Sequence, residues 1–349
     1  MAGQGLLGRL GMEHPIIQGP MSGGGSTPEL AAAVSNAGGL GSLAVAYLSP
    51  DEIVSSIRKT RTLTSRPFLV NLFAGGWQTD NIVDPAPMLD MMAQAHAALG
   101  LPAPVLPNVP HDPFPDQLDT ILQERPAAFS FTFGLPHADD LARLKQQGIA
   151  ILGTATTLRE GRMLADAGVD GVIAQGAEAG GHRGSFAGAF DVSMVPTLHL
   201  VDQLRDELPV VATGGLMDGA DIKTALNHGA VAAALGTAFL VTPESGVPEA
   251  HKRAVLEARK DTTVLTRAFS GRPARGLYNG FIATLDSRAA RILPYPLQNM
   301  LTRTMRTEAG KKGVAAYLSL WAGTGVARAR AMPAGELVRI LVEEMRAAR

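Results

Sequence analysis

The sequence contains no cysteine among its 349 residues. That excludes a disulfide-stapled scaffold, a thiolate nucleophile and a cysteine-ligated metal. It also fits a cytoplasmic setting, which is the expectation. Surplus charge is missing as well, since 31 Lys and Arg face 32 Asp and Glu for a formal net charge of −1. A nucleic-acid binder would usually carry a basic excess, so no such partner is expected. A disordered chain would pair a larger net charge with fewer apolar residues than the 46% found here. Long apolar runs are absent. The longest, about Ala230 to Val241, is too short for a bilayer and is broken by glycine. Met1 to Met12 lacks the charged start and apolar run of a signal peptide, so neither export nor a membrane is expected. None of the eight histidines falls in an H-E-x-x-H spacing, and no metal is expected.

Glycine, by contrast, is plentiful: 39 residues, well above the typical share of about 7%. Its placement follows an alternation of short apolar runs and alanine-rich amphipathic stretches. His14–Gly19 reads as a strand, and Thr27-Pro28-Glu29 opens a helix with a threonine cap and proline at its first position. Leu40–Ala46 is a second strand, Ser49-Pro50-Asp51-Glu52 opens a second helix, and Phe68–Phe73 is a third strand. The pattern then breaks over about Gly75 to Arg125, where a methionine-rich helix near Met88–Leu99 precedes a proline-rich stretch. That length exceeds an ordinary loop and predicts an insertion over a barrel mouth. Strands resume at Ala128–Phe133, Ile149–Gly153, Gly171–Gly176, Val210–Thr213 and Val231–Leu235, with helices at Ala138–Gln147 and Leu158–Gly168.

Strands apolar on both faces belong in a parallel sheet covered by helices. Eight strand–helix units within about 240 residues predict a TIM (β/α)8 barrel rather than a doubly wound sheet. The expected division is a barrel over 1–242, interrupted by the insertion at about 75–125. Residues 243–349 would form, with that insertion, a smaller and mostly helical cap or substrate domain.

Barrel chemistry sits at the C-terminal strand ends, and the glycines gather there. Gly19-Pro20-Met21-Ser22-Gly23-Gly24-Gly25 follows the first strand. The run from Gln175 through Gly176, Gly180, Gly181 and His182 to Gly184 follows the sixth. Gly214-Gly215 and Gly236-Thr237 follow the seventh and eighth, where barrels often hold phosphate. Backbone N–H groups freed of side chains suit an anion, so a phosphorylated cofactor is expected, with tight turns as the plainer alternative. His182 is the one histidine inside such a loop, and a neutral imidazole there can act as a base. No G-x-S-x-G elbow pairs with it to make a hydrolase. Asn71 and Gln175, at the ends of the third and sixth strands, offer amides either to the edge of a polar heterocycle or to a turn. Arg272 and Arg275 could bind an anion, though such arginines more often hold a loop by its carbonyls.

Together these stretches resemble the nitronate monooxygenase family, formerly called 2-nitropropane dioxygenases. The resemblance rests on His14–Met21, Leu30–Gly41, Asn71–Phe73, Ala174–Gly184, Ala212–Gly215, Gly236–Phe239, Ser270–Gly276 and Ser319–Gly323. It spans nearly the whole chain, and the A-Q-G-x-E-A-G-G-H-R-G run is its most specific element. The resemblance implies noncovalent FMN, used without NAD(P)H. Pro20, Met21, Ser22, Asn71 and Gln175 would lie near the flavin, with Gly180, Gly181, Gly214, Gly215, Gly236 and Thr237 around its phosphate. It implies His182 as the base and a small nitronate or nitroalkane as substrate, oxidised by O2 to a carbonyl compound and nitrite. A monomer or homodimer is expected. Thr132, Ala234, Asn299, Arg303 and Thr324 depart from the family pattern. They stand where a histidine, a glutamine, a second tyrosine, a lysine and a glutamine are common. With the retained Tyr295, the residues Thr132, Asn299 and Arg303 are expected to line the substrate pocket, and Arg303 would keep its positive charge. The alternatives are an FMN-dependent NAD(P)H:quinone or enoyl-thioester reductase, and a barrel that binds a phosphorylated ligand without turnover.

Overall fold

The computed structural model describes residues 2–77, 84–108, 111–286 and 291–348. Eight parallel strands form one sheet: β1 (Ile16–Gln18), β2 (Gly41–Ala44), β3 (Phe68–Phe73), β4 (Ala128–Thr132), β5 (Ala150–Ala155), β6 (Gly171–Gln175), β8 (Val210–Thr213) and β9 (Ala232–Leu235). The short β7 (Gly181–His182) lies between β6 and β8 in the chain but belongs elsewhere. The sheet runs β1-β9-β8-β6-β5-β4-β3-β2. It closes where Ile17 bridges Leu40 and the Gln18 N–H donates to the Leu40 carbonyl at 2.9 Å. This is the TIM barrel, and all eight sequence-read strands are in it.

Local signals act where they are written. Thr27 Oγ1 accepts the Leu30 N–H at 3.0 Å and starts the helix Pro28–Asn36. Ser49 and Glu52 form a reciprocal capping box on Pro50–Leu63, satisfying two N–H groups that a helix start leaves open. Gly38 takes φ +85 just after the first of these helices, a backbone conformation that needs no side chain.

The barrel interior is filled by Ile17, Leu69, Leu152, Ile173, Val211, Ala232 and Ala234. Leu6 and Leu10, from the N-terminal helix Ala2–Arg9 and the residue after it, join this cluster. The strands therefore enclose a packed core, and any ligand must bind at an end.

Two further arrangements differ from the plain alternation. The helix Phe114–Glu124, inside the stretch expected to be inserted, packs in the barrel's outer cluster through Phe114, Leu118, Ile121 and Leu122. The helix Ala334–Ala347, in the stretch expected to belong to the cap, joins the same cluster through Leu337, Val338 and Leu341. Apolar periodicity explains both, because each helix presents one stripe to the nearest core. A separate cluster unites Met88, Met91 and Met92 of Ala86–Ala98 with residues between Leu240 and Val326. Beside it lies a small sheet of order β10-β11-β7, made of β10 (Thr263–Thr266), β11 (Ala274–Leu277) and β7. Chain order hid this sheet, since β7 is two residues long and pairs with a strand some ninety residues later.

Candidate active site

β7 carries His182. Its backbone pairs antiparallel with β11, Gly181 against Arg275 and His182 against Ala274. From the barrel side, Gln175 Nε2 donates to the His182 carbonyl at 3.0 Å, and Gln175 Oε1 accepts the Gly184 N–H at 2.7 Å. Both ends of the Gln175 amide are thus committed to the loop. The structure shows it holding the turn, with a second N–H and a second lone pair of the amide unused among the described residues. Asn71 is buried and donates to Ser130 Oγ at 2.9 Å, with no donor on its Oδ1 among the described residues.

Arg183, 1% exposed, is the loop's staple and was not singled out from the sequence. It donates to the carbonyls of Gln175 (2.9 Å), Ser193 (2.7 Å) and Gly176, while its own N–H donates to the Pro273 carbonyl. Burial lowers its pKa to about 10, so it remains charged. Glu160, fully buried, accepts N–H groups from Thr156, Phe186 and Ala187 and holds the far end of the loop. Arg272 and Arg275 take the carbonyl-holding role. Arg272 donates to Arg183 O and Ser185 O, and Arg275 to Ala177 O. The only signal in the sequence for these anchors is the charged residue beside each glycine run.

His182 projects into an aromatic cluster. Its ring lies 5.4 Å from Trp321, 5.9 Å from Phe133 and 6.3 Å from Tyr295, centroid to centroid. Phe133 follows β4 at φ +75, a costly conformation for a bulky residue, and the Arg272 guanidinium sits 3.9 Å over its ring. Trp77 meets Tyr295 at 6.0 Å, and Tyr47 meets Phe73 at 5.4 Å. A cleft of about 390 Å³ opens beside them, lined by Gly76, Phe133, Ser185, Arg272 and Tyr295 among others. His182 Nε2 is buried without a hydrogen-bond partner. Burial, with the charges of Arg272 and Arg306 added, holds its imidazole down at about 3, so it is neutral near pH 7.

Arg306 had no sequence signal. It stands on the helix Arg303–Lys312 and donates to Asn299 O at 2.7 Å and Asn299 Oδ1 at 2.9 Å. Burial lowers its pKa to about 10, and Tyr47 and Tyr295 are within its electrostatic reach. Arg303 is exposed. Both arginines act on Tyr47, while only Arg306 of the two acts on Tyr295 and His182. Asn299 serves as the anchor of Arg306. Thr132 lies against the loop, its hydroxyl 3.2 Å from that of Thr154. Thr324 stands beside Gly215, and Ala234 lies in the barrel interior. The departures are therefore spread over loop, rim and interior rather than gathered in one pocket.

The glycine rim meets the loop from the barrel side. Gly214 and Gly215 have φ +129 and +73. No hydrogen bond among the described residues uses the N–H of either. A Cβ on Gly180 would meet backbone atoms of Ala322 and Gly323 at 2.5 Å, whereas a Cβ on Gly236 would meet nothing within 4 Å. Thr237 Oγ1 accepts the Gly323 N–H at 2.9 Å, so the eighth strand end is tied to the C-terminal stretch. Pro20, Met21 and Ser22 follow β1, half-buried, with the Met21 N–H donated to Ser26 Oγ at 3.0 Å. Uncommitted N–H groups on β8's end, open space at β9's end and the amide of Asn71 fit a phosphorylated, ring-bearing cofactor.

A parallel barrel with a neutral imidazole and an N–H-bearing rim at its C-terminal end is the architecture of a TIM-barrel enzyme. Comparison with known proteins narrows the class. The family described as Nitronate monooxygenase matches residues 5–344. The chain is 44% identical over 347 residues to the nitronate monooxygenase of Pseudomonas aeruginosa, covering 97% of each protein. Among solved structures it resembles a nitroalkane oxidase from Streptomyces ansochromogenes, with TM-score 0.91 and 41% identity over 99% of this chain and 98% of that one. It also resembles FabK from Thermotoga maritima, with TM-score 0.77 and 28% identity over 98% and 96%. The chain belongs to the nitronate monooxygenase family. It is an oxidoreductase of a flavoenzyme family. Among the described residues no helix is long and apolar enough to cross a membrane, and no cluster of His, Asp and Glu is placed to hold a metal ion.

Proposed function

We propose that this enzyme binds FMN and oxidises alkyl nitronates, and neutral nitroalkanes after deprotonation, by O2 to a carbonyl compound and nitrite. The observation that carries the reading is the buried, unpartnered Nε2 of a neutral His182 at the barrel mouth. A neutral imidazole can take the proton beside a nitro group, and its protonated form then balances the anion. The sheet pairing of β7 and the Gln175 amide keep the ring in place for that transfer. Bound FMN supplies the electron transfer between nitronate and O2. Gly180, Gly181, Gly214, Gly215, Gly236 and Thr237 would hold its phosphate end. Pro20, Met21, Ser22 and Asn71 would meet its ring, and Gln175 acts behind them through the loop. The two apolar clusters support a barrel carrying its own C-terminal helix, with a substrate-side cap built from 86–99 and about 243–326.

The test is an anaerobic titration of the purified yellow protein. A nitronate should reduce the flavin, and NADH should not. A protein that takes up no FMN, or one bleached by NADH and indifferent to nitronates, overturns the proposal. His182→Asn should retain FMN and lose activity on a neutral nitroalkane by about 10²-fold or more, and on the nitronate far less. Equal losses would contradict the base role.

A further inference from the structure

Buried polar atoms are nearly always hydrogen-bonded, and each exception calls for an explanation. Among the described residues six buried side-chain N or O atoms have no partner. Four of them, the Tyr47 and Tyr295 hydroxyls, Trp77 Nε1 and His182 Nε2, fall in the one aromatic cluster at the barrel mouth. They come from four separate parts of the chain: the end of β2's loop, the start of the insertion, the cap and β7. Chance burial would scatter them.

Their chemistry is one-sided. An indole N–H only donates. Burial raises the pKa of both tyrosines, so each keeps its proton, and their hydroxyls interact with each other, which sets them side by side for one shared acceptor. Arg306, anchored by Asn299, and Arg272, stacked on Phe133, place two cations beside them. No carboxylate contributes to the electrostatics of His182 or of either tyrosine. Such a surface suits an oxyanion whose oxygens accept several hydrogen bonds at once.

We infer that Tyr47 and Trp77, with Tyr295, bind the two oxygens of the substrate's nitro or nitronate group and so present its α-carbon to His182. This rests on the nitronate reading above and adds to it the residues that orient the substrate. Trp77 sits on the segment after β3, so the insertion supplies part of the substrate site. Charge-assisted hydrogen bonds then hold the same oxygens before and after proton transfer, more tightly once the anion has formed.

The probe is isobutyrate, an unreactive carboxylate with the heavy-atom connectivity and charge of propyl-2-nitronate. Binding to the flavin-loaded protein is read from the flavin absorbance spectrum. Trp77→Phe and Tyr47→Phe should each weaken isobutyrate binding about tenfold or more and raise KM for the nitronate more than they lower kcat, with flavin content unchanged. A measurement on the wild-type protein is independent of variant folding. The chain has two tryptophans, and isobutyrate should shift one of the two indole N–H signals in a ¹⁵N-resolved NMR spectrum. Unmoved indole signals, or both variants binding isobutyrate within twofold of wild type, overturn the inference. A wild-type protein that binds isobutyrate through these residues but oxidises no nitronate overturns the nitronate reading and leaves the oxyanion site standing.

Discussion

The glycine rim at the ends of β6, β8 and β9 and the aromatic wall around His182 serve one site but are built differently. The rim is backbone. Its conformation is set by residues adjacent in sequence, and its chemistry is N–H groups that no side chain hides. The wall is side chains brought together from Tyr47, Trp77, Phe133, His182, Tyr295 and Trp321. A group held by backbone is specified locally and tolerates little change, because a turn has few alternatives. A group held by side chains can be retuned one residue at a time. None of the family departures Thr132, Ala234, Asn299, Arg303 and Thr324 replaces a rim glycine, although Thr324 stands beside Gly215.

The largest effect expected is at the rim. Gly180→Ala drives a Cβ into the Ala322–Gly323 backbone and should cost on the order of 3 kcal/mol or more of stability, with loss of bound flavin. Gly236→Ala is its counterpart, because there the new methyl enters open space at φ −99. The apoprotein should melt as the wild type does while flavin affinity falls roughly 10- to 100-fold, the cost of filling space a ligand needs. Melting curves of the two apoproteins and flavin titration check this. A Gly236→Ala protein that binds flavin normally would show that the open space is not the cofactor's, and the rim would lose its claim.

The contrast also explains what was legible. The barrel was readable because each strand–helix unit declares itself through local caps and apolar periods, as Thr27 and Ser49 show. The rim was readable for the same reason. The wall was mostly not. His182 stood out only because it lies inside a glycine loop, while Trp77 and Tyr47 have no local signature and meet only in the fold. Charge placement was legible only in part. Arg303 occupies the family's cationic position, yet the helix exposes it and turns Arg306 inward onto Asn299. A three-residue step on a helix is nearly a full turn, so the two arginines lie near one face and only packing decides between them.

That exchange is testable at intermediate magnitude. Arg306→Ala should raise KM for an anionic nitronate about tenfold, since a charge within several ångströms in partly buried surroundings is weakly screened. Arg303→Ala should change it by less than roughly twofold, as expected for an exposed charge. Steady-state kinetics at two ionic strengths would separate them further, with only the Arg303 effect vanishing in salt. Equal effects from both would show that the cation is shared, and the wall would then be less exclusive than its geometry indicates.

The smallest effect separates wall from rim by pH. The rim's contribution is backbone and does not titrate in the neutral range. The wall holds His182 at about 3, and behind it His251, whose Nε2–H donates to the Trp321 carbonyl at 3.2 Å, is lowered by burial to about 4. In the unfolded chain both titrate near 6.5. As pH falls through 6.5 the unfolded state takes up protons that the folded state refuses, so stability declines on acidification and continues to decline until the folded values are reached. Between pH 7 and pH 5 each histidine should remove about 1–2 kcal/mol. Urea unfolding at the two pH values measures the difference. His182→Asn and His251→Asn should each flatten it by about that amount, and the double variant by their sum if the two rings titrate independently across Trp321. An unchanged acid slope in both variants would mean that these imidazoles are charged in the folded protein. His182 would then meet its substrate as an acid rather than a base.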